Sequence, residues 1–382
     1  MPQKYFKTSF GHEIPIVENY RRNMPPSRDN VSAESASSIQ ESLGVKAAVE
    51  SDFGITSDIF QFAMMADWFR STPVSERPYK KMLDVGGSSG FISMLFKAAG
   101  YVRSAENIEI LDFQESLDWN RVRYFLRKIQ DGRRVLRGPW AAPRDWRSRL
   151  THARDAAKDR DALAWLVNDL DFMQSTFPFP IDKDSHYWDI DPNSSLTLDR
   201  YIIGDLMEFE EVYDFLLVST TMQHFSVSVF LRKAYSLLEP GGILLIWNAY
   251  WYWALIVNRV YGDFPWAVQR LTTEDWQRYV AEYQPDQVEN SKISISRFHK
   301  AERRYTVPDY IKAGEEAGFR HIAHHRLRPF SGIKNKIGAW TLEGDHGHAV
   351  QSEVLRDIHE FRPDVEAVDL TTQSVFLLFQ KP

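Results

Sequence analysis

The sequence predicts a doubly wound α/β protein, in which a mostly parallel sheet is covered by helices and interrupted by one helical insertion. Three observations support this prediction. Apolar runs of strand length alternate with segments whose apolar residues recur at helical spacing. The runs are nearly continuous, which is typical of parallel strands buried on both faces. Residues 82–91, MLDVGGSSGF, form an apolar run that ends in an acid and then breaks into small residues, as at a strand-to-helix turn.

The composition limits the class of protein. The chain has 382 residues, 43% of them hydrophobic, with a net charge of −6 and no cysteine. It therefore has no disulfide, no thiolate metal site and no catalytic thiol. No apolar run approaches the roughly 20 residues of a membrane span, and the first residues lack the apolar core of a secretory signal. We expect a cytoplasmic protein without a membrane partner, and the negative charge gives no overall attraction for nucleic acid.

The sequence of the first half of the core predicts a β-α-β unit preceded by a helix. Apolar residues at helical spacing predict a helix over 53–69, with Pro73 after it. A buried strand follows at 81–85, and a helix at 91–99 ends before a glycine. The run NIEILDF, residues 107–113, then predicts the next strand.

The alternation resumes after residue 199. Five further strands and two helices are predicted there, with the second helix starting at a Thr-x-Pro-Asp sequence and stopping at a glycine. The predicted strands are RYIIGD (200–205), YDFLLVST (213–220), EPGGILLIW after its glycine turn (239–247), RHIAHHRLRPF (320–330) and SVFLLFQKP (374–382). The predicted helices are FSVSVFLRKAYSLL (225–238) and TVPDYIKAGEEAGF (306–319).

The predicted organisation is a core with two insertions. Residues 1–52 form a lead-in, 53–117 and 200–382 the core, 118–199 a helical insertion or lid, and 331–372 a smaller insertion within the core. Charge is segregated in the large insertion, with 13 basic against 5 acidic residues over 118–160 and 2 against 8 over 161–200. Either the two arms pair with each other, or the basic arm forms a rim for a phosphorylated or carboxylated substrate.

The small-residue turn does not fit the common nucleotide-binding patterns. A dinucleotide fingerprint requires G-x-G-x-x-G, but counting from Gly86, Ser88 and Phe91 stand where its second and third glycines belong. A Walker loop is excluded because no Gly-Lys-Ser/Thr follows. The acid at Asp84 would repel a pyrophosphate and suits a cation or an ammonium group.

The pattern Asp84-x-Gly86-x-Ser88-x-Gly90 resembles the first motif of class I, Rossmann-like S-adenosylmethionine-dependent methyltransferases, Asp/Glu-x-Gly-x-Gly-x-Gly, with serine for the middle glycine. The segment LDVGGSSG, followed by ILDFQESL, is most similar to the sequences of small-molecule O-methyltransferases. The resemblance covers about residues 80–117, 200–250 and 305–382. It implies a seven-stranded sheet, S-adenosyl-L-methionine as cofactor, and transfer of its methyl group to a small-molecule acceptor, such as a hydroxyl of a metabolite or a sugar.

The resemblance also implies which residues contact the cofactor. The turn passes under the methionyl part of the cofactor. The acid at the first position of the motif orders the loop and the amino group of the cofactor. An acid at the end of the second strand receives the ribose hydroxyls; Asp112 fits, with Glu106 and Glu109 as rivals, and Phe113 flanks the adenine. The turn residues concerned are Asp84, Gly86, Gly87, Ser88 and Gly90.

Two later segments supply the remaining cofactor contacts that the resemblance implies. Asp205 meets the adenine amino group and Leu206 a ring face, while Ser219 and Thr220 follow the fourth strand beside the methionine part.

Each motif has a purely structural alternative. The glycines could simply form a tight turn, and Asp112 could cap a helix.

A methyl sulfonium is already electrophilic, so the protein has to align the nucleophile and, for a hydroxyl, remove its proton. His224 after the fourth strand and His186 in the insertion are the candidate bases. His324 and His325 are interpreted as strand residues. The segment GDHGHAV, residues 344–350, is interpreted as a glycine-rich loop, and no metal is predicted.

Aromatic residues are dense after the fifth strand. Tyr250, Trp251 and Trp253 form either a buried helix or the wall of an acceptor pocket. The alternatives to a small-molecule enzyme are methylation of a phosphorylated or polymeric acceptor such as RNA or a glycan, and a non-catalytic cofactor-binding subunit. A nicotinamide oxidoreductase is disfavoured by the broken fingerprint, a nucleic-acid partner is not expected, and the oligomeric state is left open with a homodimer as one option.

Overall fold

A computed structural model describes residues 3–16, 61–110, 196–249, 264–285, 288, 304–327 and 344–382, except positions 63, 67, 77, 220, 223, 224, 265, 371 and 373. The predicted large insertion therefore lies almost wholly outside the described residues. Within the described part, no helix is both long enough and apolar enough to cross a membrane.

The described strands form one seven-stranded sheet and one hairpin. The seven strands stand in the order β5-β4-β3-β6-β7-β9-β8. β4 pairs in parallel with both β3 and β5, whereas β9 pairs antiparallel with β7 and β8. The strands are β1 Tyr5–Lys7, β2 Glu13–Pro15, β3 Tyr79–Val85, β4 Val102–Glu109, β5 Arg200–Ile203, β6 Tyr213–Ser219, β7 Leu238–Ala249, β8 Arg320–Leu327 and β9 Ser374–Gln380. The predicted fold class, a doubly wound, mostly parallel seven-stranded α/β sheet, is confirmed.

Helices connect the strands in the described ranges. Residues 61–62, 64–66 and 68–70 are helical, in agreement with the helix predicted over 53–69. The remaining helices are α1 Phe91–Ala98, α2 Val227–Ser236, α3 Ala267–Arg270, α4 Thr273–Tyr283, α5 Val307–Glu316, α6 Gly344–His359 and α7 Ala367–Leu370.

Two predicted boundaries are wrong. The strand expected over 107–113 is β4, which begins at Val102 and ends at Glu109. The segment 344–350, interpreted as a glycine-rich loop, belongs to α6. Glycine costs about 1 kcal/mol in a helix relative to alanine, but α6 buries Val354 and Ile358 completely on its later turns. Tertiary packing therefore outweighs local propensity there.

The chain divides into two compact units. One comprises Ser38–Leu217 with Leu238–Gly242 and contains the small-residue turn; we call it the turn unit. The other comprises Met1–Ser37, Val218–Leu237 and Ile243–Pro382 and contains both chain ends; we call it the terminal unit.

Aromatic side chains form the core of the turn unit. Phe215 of β6 lies 5.7 Å from Phe69, 5.3 Å from Tyr79 and 5.8 Å from Phe96, measured between ring centroids. All four rings are buried, and each contributes roughly 1.5–3 kcal/mol by leaving water. This cluster joins β3 to α1 and so holds the two elements that flank the small-residue turn.

A buried ion network explains why β4 tolerates a glutamate in its interior. Glu106 is 6% exposed. It lies 3.1 Å from Lys81 Nζ and 2.8 Å from Arg200 Nη2, and it accepts a hydrogen bond from Tyr213 at 2.7 Å. A buried carboxylate is stable only when it is paired in this way. Sequence periodicity alone could not reveal that pairing, which is why the start of β4 was misplaced.

In the terminal unit, the N-terminal hairpin packs on α4. Phe6 is buried and meets the ring of Tyr279 edge-on at 5.4 Å. The backbone N–H of Ser9 donates to Asp275 at 3.0 Å, and its hydroxyl donates to the same carboxylate at 2.8 Å. Residues 5–15, expected to be part of a lead-in, thus contribute two strands and the buried side chains of Phe6 and Ile14 to the core of this unit.

A second carboxylate ties the hairpin to α6. Asp357 has a side chain 1% exposed and accepts hydrogen bonds from His12 Nδ1 at 2.7 Å and from Arg270 Nε at 2.8 Å. Burial lowers the pKa of Arg270, and the neighbouring Asp357 charge opposes that shift.

The helix expected from the Thr-x-Pro-Asp sequence is α5, and its predicted start is confirmed. Thr306 caps it, and Asp309 Oδ2 accepts a hydrogen bond from the Thr306 N–H at 2.8 Å, forming a capping box. The glycine stop is Gly318, which has a left-handed φ of 102°.

Candidate functional site

The turn after β3 is built from left-handed residues. Gly86, Ser88 and Gly90 have φ of 69°, 53° and 74°. The Gly86 N–H donates to the Ile108 carbonyl at 2.9 Å, and the Gly90 N–H donates to the Gly87 carbonyl at 2.8 Å. Left-handed conformations cost a side-chain-bearing residue roughly 1–2 kcal/mol, so glycine is favoured at 86 and 90, and Ser88 is strained.

Gly87 and Gly90 are required by close contacts. A Cβ on Gly87 would stand 2.2 Å from Asp84 Oδ2 and 2.7 Å from Asn107 Oδ1. A Cβ on Gly90 would stand 2.5 Å from Leu198 Cδ1. The backbone of the turn therefore lies directly on the side chains of the two strands beneath it.

Asp84 lies wholly beneath the turn. It is 0% exposed, and Oδ2 accepts a short hydrogen bond from the hydroxyl of Ser93 on α1. Burial raises the pKa of Asp84 to about 7; the Ser93 hydrogen bond opposes the shift, and the nearby charge of Glu109 adds to it. Because Asp84 has no exposed surface, it acts on any ligand above the turn through the turn itself.

Two side chains that were not singled out from the sequence hold the tip of the turn. The carbonyl of Ser88 accepts hydrogen bonds from Asn107 Nδ2 at 2.8 Å and from the Tyr201 hydroxyl at 2.9 Å. A polar residue at a buried strand position is the signal that could have identified Asn107.

Glu109 is the last residue of β4 and faces the turn. Its Oε2 accepts a hydrogen bond from the Ser88 N–H at 3.2 Å, and Oε1 accepts one from the Ile110 N–H at 3.0 Å. Burial raises the pKa of Glu109, while these two hydrogen bonds lower it. The described acid at the end of the second core strand is thus Glu109. Asp112, expected there from the sequence, lies outside the described residues.

The segment after β5 presents an acid and apolar side chains. Asp205 caps a short 3₁₀ helix, Leu206–Glu208, by accepting from the Met207 N–H at 2.9 Å. Leu206 itself is buried. The exposed apolar side chains at these strand ends are instead Ile110, 70% exposed, and Ile203, 59% exposed.

Of the other residues expected at the site, only Ser219 lies in the described part of the chain. Ser219 ends β6 and is assigned to the terminal unit, where its carbonyl accepts from the Thr221 hydroxyl at 2.8 Å. Eight expected residues lie outside the described part of the chain: Asp112, Phe113, His186, Thr220, His224, Tyr250, Trp251 and Trp253.

No metal centre is found among the residues that the structure describes: no three His, Asp or Glu side chains there are grouped to bind an ion. His324 and His325 lie in β8, as expected. Burial lowers the pKa of both.

Comparison with known proteins gives structural similarities alone. No family model and no curated protein matches the chain. The cyclopropane synthase MmaA2 from Mycobacterium tuberculosis covers 96% of this chain and 95% of its own, at 11% identity and a TM-score of 0.38. The geranyl diphosphate C-methyltransferase from Streptomyces coelicolor A3(2) covers 87% and 85%, at 9% identity and a TM-score of 0.37.

A third similar structure is the N-methyltransferase NodS from Bradyrhizobium japonicum, with 85% of this chain and 97% of its own covered, 8% identity and a TM-score of 0.33. Identities and TM-scores of this size establish neither a family nor an activity, since one fold hosts many reactions. The chemistry of the site has to come from its own residues.

Those residues set limits on the ligand. The turn, residues 84–91, has no basic side chain, and two acids, Asp84 and Glu109, lie at or below it. Residues 84–91 themselves therefore offer no countercharge to a pyrophosphate. The site offers a carboxylate and exposed apolar side chains at the adjacent strand ends, which suits a nucleoside with a hydroxyl-bearing sugar and an uncharged base.

Proposed function

We propose that this chain is an S-adenosylmethionine-dependent methyltransferase that transfers a methyl group to a small-molecule acceptor. The observation that carries the proposal is the turn after β3. There, an acid lies buried under a glycine that cannot be enlarged, and a glutamate at the end of the neighbouring parallel strand accepts a hydrogen bond from the turn.

In this proposal the turn holds the methionyl part of the cofactor. Gly87 places backbone without a side chain at the surface of the turn. Gly86 and Gly90 adopt the left-handed conformations that bend the chain there. The N-cap position of α1, Gly90, provides no side-chain hydrogen bond, so the positive end of this helix is not neutralised by a cap. A zwitterionic amino acid portion suits these surroundings better than a phosphate does.

The ribose and the adenine follow from the next two strand ends. We propose that Glu109, rather than Asp112, receives the ribose hydroxyls, because the Glu109 carboxylate lies at the edge where β4 meets the turn. Ile110 and Ile203 supply apolar surface for the adenine, since both are exposed although both are apolar. Asp205 is exposed and is proposed to meet the adenine amino group.

The cofactor supplies an electrophilic methyl group, and the chain has to align an acceptor with it. We propose a hydroxyl of a metabolite or a sugar as the acceptor. His224 and His186 remain the proposed bases, and Tyr250, Trp251 and Trp253 the proposed pocket wall, on the reasoning from the sequence. The cytoplasmic location and the option of a homodimer likewise stay predictions.

The proposal is tested by thermal unfolding with a ligand panel. S-adenosylmethionine and its demethylated product, each at about 100 times its dissociation constant, should stabilise the chain by about 2.7 kcal/mol. NAD⁺, matched in concentration, serves as the control dinucleotide and should have no effect. Stabilisation by NAD⁺ but by neither methionine-derived nucleoside would overturn the proposal.

A further inference from the structure

Three buried side-chain oxygens at the turn have no hydrogen-bond partner among the described residues. They are Asp84 Oδ1, Asn107 Oδ1 and Ser88 Oγ. A buried polar atom without a partner costs about 1–3 kcal/mol. Two of these atoms are pure acceptors when Asp84 is ionised, so what is missing is a donor.

Asp84, through Oδ2, and Asn107, through Oδ1, both lie against Gly87. A Cβ on Gly87 would lie 2.2 Å from Asp84 Oδ2 and 2.7 Å from Asn107 Oδ1, so both side chains crowd the same glycine. The orientation of the Asn107 amide follows from its other contact. Nδ2 donates to the Ser88 carbonyl at 2.8 Å, and the reverse orientation would set two acceptors against each other. Asn107 therefore presents its carbonyl oxygen on the Gly87 side.

We propose that Asp84 is a neutral carboxylic acid that donates a hydrogen bond to Asn107 Oδ1, and that Asn107, so oriented, is the positioning residue that holds Ser88 and the turn. The proton on Asp84 supplies the missing donor. The hydrogen-bonded chain then runs from the Ser93 hydroxyl to Asp84, from Asp84 to Asn107, and from Asn107 to the Ser88 carbonyl.

The charges around Asp84 support a neutral acid. α1 contributes the Ser93 hydroxyl and β4 contributes the Asn107 amide, and the charged group acting on Asp84 in the described structure is Glu109, which is also acidic. Among the described residues, no cation compensates a negative charge on Asp84. Burial accordingly raises the pKa of Asp84 to about 7, which leaves a large fraction of the carboxyl protonated near neutral pH.

Ionisation of Asp84 reverses the preference of the Asn107 amide. A carboxylate repels Asn107 Oδ1 and attracts Nδ2, so the amide turns its donor toward Asp84, and the Ser88 carbonyl keeps only the hydrogen bond from the Tyr201 hydroxyl among the described residues. The turn therefore has two arrangements, selected by one proton. The consequence for a ligand rests on the proposed function: affinity for the cofactor falls as Asp84 ionises, because the turn loses one of the hydrogen bonds that order it.

The sign of the pH dependence follows from linkage. The pKa of Asp84 is raised in the folded chain, so the native state holds a proton that the unfolded state releases. The stabilising contribution is complete below about pH 4 and is lost as pH rises through about 7. Asp199 is a matched control of opposite sign, because Lys97 and the Ala105 N–H hold its pKa below the usual value against the effect of burial.

The test is urea unfolding of the wild type, Asp84→Asn and Asp199→Asn at about pH 5 and about pH 8.5. The asparagine at 84 keeps a donor for Asn107 at every pH. The urea midpoint of Asp84→Asn should therefore rise relative to wild type as pH increases, whereas that of Asp199→Asn should not. An unchanged difference between Asp84→Asn and wild type at the two pH values overturns the proposal.

Infrared spectroscopy gives a second readout that does not depend on stability. The wild type at about pH 6 should show a protonated carboxyl band that Asp84→Asn lacks, and its absence from the wild type overturns the proposal. Binding of S-adenosylhomocysteine, measured at both pH values, should weaken with pH in the wild type and not in Asp84→Asn. If no variant binds this nucleoside, the proposed function fails while the unfolding and infrared results still decide the role of Asp84.

Discussion

Gly87 lies directly against the side chain of Asp84, so that a Cβ at position 87 would stand 2.2 Å from Asp84 Oδ2. This contact connects the fold to the proposed site. It places bare backbone at the surface of the turn and a buried acid directly below. Any change at position 87 therefore disturbs both the packing of β3 and the surface that a ligand would meet.

Gly87→Ala should lower the free energy of unfolding by about 1–3 kcal/mol, because the added methyl group overpacks a rigid site. Gly204→Ala is the matched control. Gly204 lies at the end of β5, and a Cβ there would meet no atom within 4 Å. Urea unfolding measures both changes. Equal, near-zero effects of the two substitutions would show that the contact at Gly87 is not rigid.

Glu109→Gln should weaken the binding of S-adenosylmethionine by about 1.5–3 kcal/mol, because hydrogen bonds from two hydroxyls to a charged carboxylate are lost. Glu208→Gln is the control, since Glu208 is an exposed acid on the neighbouring 3₁₀ helix. Calorimetric titration measures both variants. If Asp112→Asn loses affinity for S-adenosylmethionine and Glu109→Gln does not, Asp112 rather than Glu109 binds the ribose hydroxyls.

Ser88→Gly should raise the free energy of unfolding by about 1 kcal/mol, because glycine relieves the left-handed strain. It also removes a buried hydroxyl that has no partner among the described residues. Ser88→Val should instead destabilise by roughly 1–3 kcal/mol, since a β-branched residue rarely adopts this conformation. Ser89→Gly, at a buried neighbour without a positive φ, should not stabilise the chain. A higher free energy of unfolding for Ser88→Val than for the wild type would contradict the left-handed backbone conformation at position 88.

Asp357→Asn tests the terminal unit. It should lower the free energy of unfolding by about 3–5 kcal/mol, because it leaves the buried guanidinium of Arg270 without its counterion. Asp364→Asn, which breaks an exposed pair with Arg362, should cost about 0–1 kcal/mol. A loss of similar size in both variants, measured by urea unfolding, would contradict the role of the buried pair.

The sequence predicted the elements whose own residues carry the signal. The strand before the turn and the helix after it were predicted within two residues of β3 and α1, because an unbroken apolar run and a glycine stop mark them. The capped start at Thr306 was predicted for the same reason. These features are local, so no knowledge of distant residues is needed to find them.

Features that depend on distant partners were missed. Glu106 interrupts the apolar pattern of β4 and is stabilised by Lys81 and Arg200, which lie far from it in the chain or in a neighbouring strand. The N-terminal hairpin has strands of three residues, too short for a periodic signal, and is held by contacts more than 200 residues away. The roles of Asn107 and Tyr201 emerged because the fold brings both to the Ser88 carbonyl.

The central claim is that the turn over Asp84 binds a methionine-derived nucleoside. Calorimetric titration of the wild-type chain with S-adenosylhomocysteine tests it most directly. The expected result is saturable binding with one molecule per chain, weakened by Glu109→Gln and unchanged by Glu208→Gln. A folded wild-type chain that binds neither S-adenosylhomocysteine nor S-adenosylmethionine would contradict it.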